Sequence, residues 1–156
     1  MENSSTINRF DQKDVVVLII DDDVTTVRLL ANLVEAMGGT AITAADGSEG
    51  LRMAHDHFPT VAVCDYAMEP VDGGCFLAGL RHSRVWRVAK IPVIMFTAEK
   101  DEEVVVRLRD FGATEYIAKP FNLQGFSERL AAIVEMHGLM GIGPDFQFGK
   151  KTPLSL

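Results

Sequence analysis

Val15-Val16-Val17-Leu18-Ile19-Ile20 runs without interruption into Asp21-Asp22-Asp23. Six consecutive apolar residues, five of them β-branched, suit a strand buried on both faces, as in a parallel sheet. Three carboxylates then end it at once. The same unit recurs downstream. Val61 to Cys64 ends in Asp65, Ile91 to Phe96 ends in Thr97-Ala98, and Thr114 to Ala118 ends in Lys119-Pro120. Thr40 to Ala45 reads as a further short strand.

Between these strands the apolar period lengthens to that of a helix. Val27, Leu30, Leu33, Val34 and Met37 share one face, and Gly38-Gly39 stops that helix. Leu51, Ala54, His55 and Phe58 mark a second helix, closed by Pro59. Phe76, Leu77 and Leu80 mark a third, after the loop of Pro70, Asp72, Gly73 and Gly74. Val104, Val105, Leu108 and Phe111 mark a fourth, stopped by Gly112. Phe126, Leu130, Ile133 and Val134 mark a fifth, stopped by Gly138. The stretch His82–Lys90 is polar and basic and reads as a connection. Five βα units imply an α/β fold, a doubly wound parallel sheet with helices on both faces. Residues 1–13 carry no period and read as a flexible arm, 14–137 as the domain, and 138–156 as a tail.

Composition sets limits on function. The chain has 156 residues, 47% hydrophobic, with 15 Lys+Arg against 22 Asp+Glu for a net charge of −7. That acidic balance disfavours direct nucleic-acid binding, which needs a basic footprint. No apolar run approaches the roughly 20 residues of a membrane span, so no membrane insertion is expected. Met1-Glu2-Asn3-Ser4-Ser5 lacks the pattern of a secretory leader. With only two cysteines, Cys64 and Cys75, both read as buried or half-buried thiols, a cytoplasmic setting is expected.

In an open α/β sheet, ligands bind at the carboxyl ends of the strands. Asp21, Asp22, Asp65, Thr97 and Lys119 converge there. Carboxylates gathered in one cleft repel one another and call for a hard divalent cation with oxygen ligands, such as Mg²⁺. An ammonium and a hydroxyl beside that ion suit a phosphoryl group. A carboxylate is itself a competent nucleophile, so the chemistry implied is Mg²⁺-dependent phosphoryl transfer onto an aspartate. Each residue also has a plainer reading: Asp22 or Asp23 as a helix cap, Asp72-Gly73 as a turn, Lys119 as a solvated charge. It is their convergence at four strand ends that favours the chemical one.

These residues give the chain a resemblance to the CheY-like receiver domains of two-component response regulators, over about residues 14–137. The matching marks are Ile19-Ile20-Asp21-Asp22, Cys64-Asp65 with Asp72-Gly73, Phe96-Thr97-Ala98, and Tyr116-Ile117-Ala118-Lys119-Pro120-Phe121. The resemblance implies a five-stranded flavodoxin-like (βα)5 fold with strand order 2-1-3-4-5. It implies Asp65 as phosphoacceptor, with Mg²⁺ held by Asp22, Asp65 and the backbone carbonyl of Ala67, and by Asp21 through water. Thr97 and Lys119 would grip the phosphoryl oxygens, and Tyr116 would be the switch aromatic. Ala67 and Glu99 stand where the family tunes the lifetime of the phosphate, and a lifetime of minutes is expected. The implied donor is a sensor histidine kinase or a histidine phosphotransfer protein. The implied target is a protein bound at the fourth predicted helix, the fifth strand and the fifth predicted helix.

Two departures stand out. Where the family usually has proline four residues after the acceptor, this chain has Glu69, and proline follows as Pro70. The triple aspartate also allows two registers. Asp21 and Asp22 directly follow the strand, which leaves Asp23 near the helix cap.

The expectation is therefore a single-domain phosphorylation switch, not an enzyme beyond promoting its own phosphorylation and dephosphorylation. The residues after the last helix are too few for a DNA-binding domain. Two alternatives remain open. Asp21-Asp22-Asp23-Val24-Thr25 fits the Asp-x-Asp-x-Thr motif of haloacid-dehalogenase-like Mg²⁺ phosphatases, with Asp21 as nucleophile, although no acidic pair follows a strand after Lys119. A phosphate-independent, receiver-like adaptor is the other. Gly149-Lys150-Lys151-Thr152 lacks a phosphate loop's spacing, and His55 and His57 point to different sides of a helix.

Overall fold

Successive side chains of a strand point to opposite faces of its sheet, and here both faces are core. In the computed structural model, which describes residues 7–98 and 102–139, Val17 and Ile19 pack with Val61, Val63, Ile94 and Phe96 on one face. Leu18 and Ile20 pack with Ala62, Cys64, Val93 and Met95 on the other. Strands β1 (Val16–Ile20), β2 (Thr40–Ala44), β3 (Val61–Asp65), β4 (Val93–Thr97) and β5 (Glu115–Ala118) form one parallel sheet in the order β2-β1-β3-β4-β5. This is the flavodoxin-like order that the resemblance to receiver domains implies. The strand order reverses between β1 and β3, so the crevice at their carboxyl ends is the topological switch point where such folds bind ligands.

Helices α1 (Val24–Ala36) and α6 (Leu123–Leu139) cover the first face through Leu30, Leu33, Val34, Phe126, Leu130 and Ile133. Helices α2 (Gly47–His57), α3 (Gly73–Arg81) and α5 (Glu102–Asp110) cover the second through Ala54, Phe76, Leu77, Leu80 and Leu108. The predicted stop after α1 is a Schellman turn. Gly38 takes φ +93°, its N–H donates to Glu35 O, and the Gly39 N–H donates to Val34 O, both at 3.0 Å.

Several local readings are corrected. His82–Lys90 is not a plain connection. It contains a short helix, α4 (Trp86–Ala89), whose Val88 is buried; four residues are too few to show a period. Helices α2 and α3 start earlier than their apolar patterns do, because Asp46 and Asp72 cap them with side-chain bonds to Ser48 N, Glu49 N and Cys75 N. Gly138 does not stop α6, which continues to Leu139. Cys75 is exposed rather than half-buried, since it faces outward in the first turn of α3. Phe111 is exposed beyond the end of α5.

The described part of the arm, residues 7–13, packs on the domain, whereas the sequence suggested a loose segment. Ile7 and Phe10 join the first core face, and the Phe10 N–H donates to Met37 O at 2.9 Å. Arg9 Nη1 donates to Ala36 O at 3.2 Å and Gln12 Nε2 to Val134 O at 3.4 Å. Two apolar residues spaced three apart were too weak a signal to read. Residues 1–6, Glu99 and the tail from 140 to 156, with its Gly149-Lys150-Lys151-Thr152, lie outside the described residues.

Candidate functional site

Strands β1, β3, β4 and β5 each end in, or run directly into, a polar or charged residue at the carboxyl edge of the sheet. Asp21 follows β1 and is 4% exposed, with its N–H donating to Ala44 O at 3.1 Å. Asp65 is the last residue of β3 and is 8% exposed. Thr97 ends β4 and is buried. Lys119 follows β5, and its N–H donates to Thr97 O at 2.9 Å, which seats the lysine beside the threonine.

The carboxylates of Asp21, Asp22 and Asp65 each place an oxygen within 4.8 Å of the others. Lys119 Nζ lies 3.2 Å from Asp65 Oδ1 and 3.4 Å from Asp21 Oδ2. Among the described residues, one ammonium thus bridges two of the three clustered acids. Burial, reinforced by the negative charge of Asp21, pushes the Asp65 carboxyl above its usual range against the pull of Lys119. Burial alone would lower the lysine, but the charges of Asp21 and Asp65 outweigh it and hold Lys119 above its ordinary value. The lysine shift reports the negative charge around it, whereas the Asp65 shift reports burial first and the charge of Asp21 second. A donor set of two buried carboxylates and one exposed one, from Asp22, fits a hard divalent cation.

Asp23 takes the other of the two registers. Its carboxylate caps α1, accepting from Thr25 N at 3.1 Å and from the Thr26 hydroxyl at 2.7 Å. The Thr26 bond, then the Thr25 bond, holds its pKa low. Its own N–H donates to Asp21 Oδ1 at 2.9 Å and orients that carboxylate. With Asp23 committed to the cap, the second acid of the phosphatase-like motif does not face the crevice chemistry.

The loop after β3 is shaped by backbone contact. The Tyr66 N–H donates to Phe96 O at 2.8 Å and the Gly73 N–H to Tyr66 O at 3.0 Å. A Cβ on Gly73 would collide with the Asp65 carbonyl oxygen and come within 2.6 Å of Met95 Cε. Only glycine permits α3 to start this close to the end of β3, so Asp72-Gly73 is both a helix cap and a close-approach point. The sequence shows the Asp-Gly pair but not the backbone it must clear. Ala67 lies exposed in the same loop. Tyr116 sits on the outer strand β5, paired with Met95 and 41% exposed, outside the acidic cluster. Phe121, just after Lys119-Pro120, stacks on Phe96 with centroids 4.5 Å apart. Beside Asp21 and Asp22 a cavity of about 300 Å³ opens between Val27 of α1 and Thr43 of β2, with Glu49 at its rim.

Comparison with known proteins bears directly on this arrangement. The family model described as response regulator receiver domain matches residues 17–131. The chain is 37% identical over 118 residues to the transcriptional regulatory protein KdpE of Mycobacterium tuberculosis, covering 76% of this chain and 50% of that one. It is 32% identical over 120 residues to the chemotaxis protein CheY of Pseudomonas aeruginosa, covering 76% and 95%. The chain spans about half the length of the first curated relatives it matches. Among solved structures, chemotaxis protein CheY4 of Vibrio cholerae superposes with a TM-score of 0.70 at 27% identity, covering 77% of this chain and 98% of that one. A CheY-like receiver from Methanospirillum hungatei gives 0.76 at 25% identity, covering 82% and 99%.

Proposed function

This chain belongs to the response regulator receiver domain family, and on that premise we propose that it is a phosphorylation switch whose phosphoacceptor is Asp65. The observation that carries the proposal is the Lys119 ammonium held between Asp65 and Asp21 at the switch point, with Asp22 adjoining. A carboxylate oxygen of Asp65 attacks the phosphorus of a phosphohistidine. The P–N bond breaks, the electron pair leaves with the donor imidazole, which takes up a proton, and Asp65 becomes an acyl phosphate. Lys119 neutralises one phosphoryl oxygen and Thr97 donates its hydroxyl to another.

Asp22, Asp65 and the Ala67 carbonyl would hold Mg²⁺, with Asp21 acting through water. When bound, the ion offsets the charge of the acids and of the incoming phosphoryl group. Ala67 has no side chain able to orient an attacking water, whereas Glu99 does, so these two positions set the lifetime of the acyl phosphate.

The donor in this reading is a sensor histidine kinase or a histidine phosphotransfer protein. A phosphoryl group brings up to about two negative charges and three acceptor oxygens, which draw Thr97 and Lys119 inward, with Tyr116 following. The altered surface comprises α5, β5 and α6, and output is by protein contact rather than direct nucleic-acid binding, in keeping with the net charge of −7. The chain acts as a cytoplasmic switch, not as an enzyme on a separate substrate. Residues 14–137 form the receiver, between an arm (1–13) and a tail (138–156). No helix among the described residues is long and apolar enough to cross a membrane.

The test is intact mass after incubation with acetyl phosphate and Mg²⁺. A single phosphoryl adduct that disappears in Asp65→Asn supports the reading. An adduct that persists in Asp65→Asn but vanishes in Asp21→Asn overturns it.

A further inference from the structure

Arg81, Arg84, Arg87 and Lys90 place four of the chain's 15 Lys+Arg within ten residues, and no Asp or Glu lies between Asp72 and Glu99. This basic segment interrupts a chain of net charge −7. It connects α3 to β4 and so lies at the edge where strands begin, opposite the carboxyl edge that carries Asp21 and Asp65.

The segment is rigidly mounted. Arg81 is used internally: its guanidinium donates to the carbonyls of Gly112 at 2.8 and 3.0 Å, Ala89 at 3.0 Å and Ile91 at 2.6 Å. Val88 anchors α4 in the core. On the α2 side, His55 Nδ1 donates to Leu51 O at 2.8 Å, which leaves Nε2 to accept from the Ser83 hydroxyl at 2.8 Å. The end of α2 and the basic segment therefore form one continuous surface. On it the Arg87 guanidinium lies 4.7 Å from the centroid of Phe58. Phe58 is 37% exposed and Val85 41%. Arg84 and Lys90 are exposed and have no salt-bridge partner among the described residues. His57 and His82 lie exposed near the same element ends, with Asp56 at the margin.

We infer that this surface docks an acidic segment of a partner protein, whose Asp or Glu side chains meet Arg84 and Lys90 while an aliphatic or aromatic side chain lies against Val85 and Phe58. Clustered arginines select acidic motifs, and an arginine stacked on an aromatic beside an exposed aliphatic is the composition of an interface anchor. The apolar pair selects a peptide over a free inorganic anion. The acidic remainder of the molecule repels an extended polyanion, whether nucleic acid or anionic membrane, which would overrun the patch. Because the surface lies at the opposite edge from Asp65, docking here is a constitutive tether, independent of phosphorylation.

The test is amide chemical-shift mapping of the full chain titrated with a short synthetic peptide in which Leu-Phe is flanked by Asp and Glu. Shifts centred on residues 55–58 and 82–90 are expected. Arg84→Glu with Lys90→Glu is expected to weaken binding about tenfold or more. Val85→Ser is expected to weaken it as well, while Asp65→Asn leaves it unchanged. Unchanged melting temperatures of the variants at Arg84, Lys90 and Val85 show that these surface substitutions leave the fold intact. Shifts centred elsewhere, equal binding of a peptide with Gly-Ser in place of Leu-Phe, stronger binding of a single-stranded oligonucleotide or of phosphatidylglycerol vesicles, or loss of binding in Asp65→Asn would each overturn the inference.

Discussion

Lys119 Nζ lies 3.2 Å from Asp65 Oδ1, and the lysine reaches it from two strands away across β4. The pair does not balance the crevice, because Asp21 shares the same ammonium and the Asp22 carboxylate adjoins them. A receiver needs this imbalance: the negative charge that destabilises the resting crevice is what gives a cation its binding energy.

Asp65→Asn is accordingly expected to stabilise the metal-free protein, by about 1 kcal/mol, since it removes a buried like charge at little cost in volume. Urea unfolding without Mg²⁺ checks this as a rise in midpoint at constant m-value. Lys119→Ala is expected to act in the opposite direction, by about 1–3 kcal/mol, with part of the loss recovered on adding Mg²⁺.

The pH dependence follows from the sign of the Asp65 shift. Its carboxyl is raised above the ordinary value of 3.8, so the proton is held more tightly in the folded protein than in the unfolded one. Below 3.8 both states are protonated and the residue costs nothing. As pH rises through the elevated folded value, the charged form appears in the crevice and stability is lost. The advantage of Asp65→Asn is therefore expected to vanish near pH 3 and to grow to a plateau with rising pH, which urea titrations at several pH values measure. Mg²⁺ affinity is expected to fall on acidification at a pH above that at which an ordinary carboxylate titrates.

Gly73→Ala is expected to destabilise by about 1–3 kcal/mol, because the new Cβ meets the Asp65 carbonyl, a backbone atom that cannot rotate away. Gly125→Ala in α6 is the contrasting case. Its Cβ would find only Asn122 Oδ1, at 4.0 Å, and the helix gains up to about 1 kcal/mol of propensity. Paired thermal melts of the two variants decide the point, and Gly73→Ala is also expected to slow phosphorylation by displacing the acceptor loop.

Phe10→Ala is expected to cost about 1–2 kcal/mol, roughly half the loss for a fully buried phenylalanine. The ring is half-buried over Gly39, where a Cβ would come within 2.8 Å of Phe10 Cε2. Chemical denaturation measures this, and phosphoryl uptake is expected to be unaffected because the arm lies at the far edge of the sheet.

Strands were legible because burial on both faces leaves an unbroken apolar run, as at Val15–Ile20 and Val61–Cys64. The crevice was legible because charge placed directly after such a run has to emerge at the carboxyl edge. What escaped was fixed by contacts distant in sequence or too short to form a pattern. Phe10 shows its role only against Gly39, and Arg81 only against carbonyls at 89, 91 and 112. Trp86–Ala89 is a single helical turn with no period to display. The early starts of α2 and α3 are set by Asp46 and Asp72, whose capping bonds outweigh the glycines that follow them.

The most direct test of the central claim is chemical localisation of the phosphoryl group. After brief phosphorylation with acetyl phosphate and Mg²⁺, borohydride reduces an aspartyl phosphate to homoserine, and peptide mass mapping then finds the converted residue. Conversion at Asp65 alone is the predicted result; conversion at Asp21, with Asp65 intact, would contradict it.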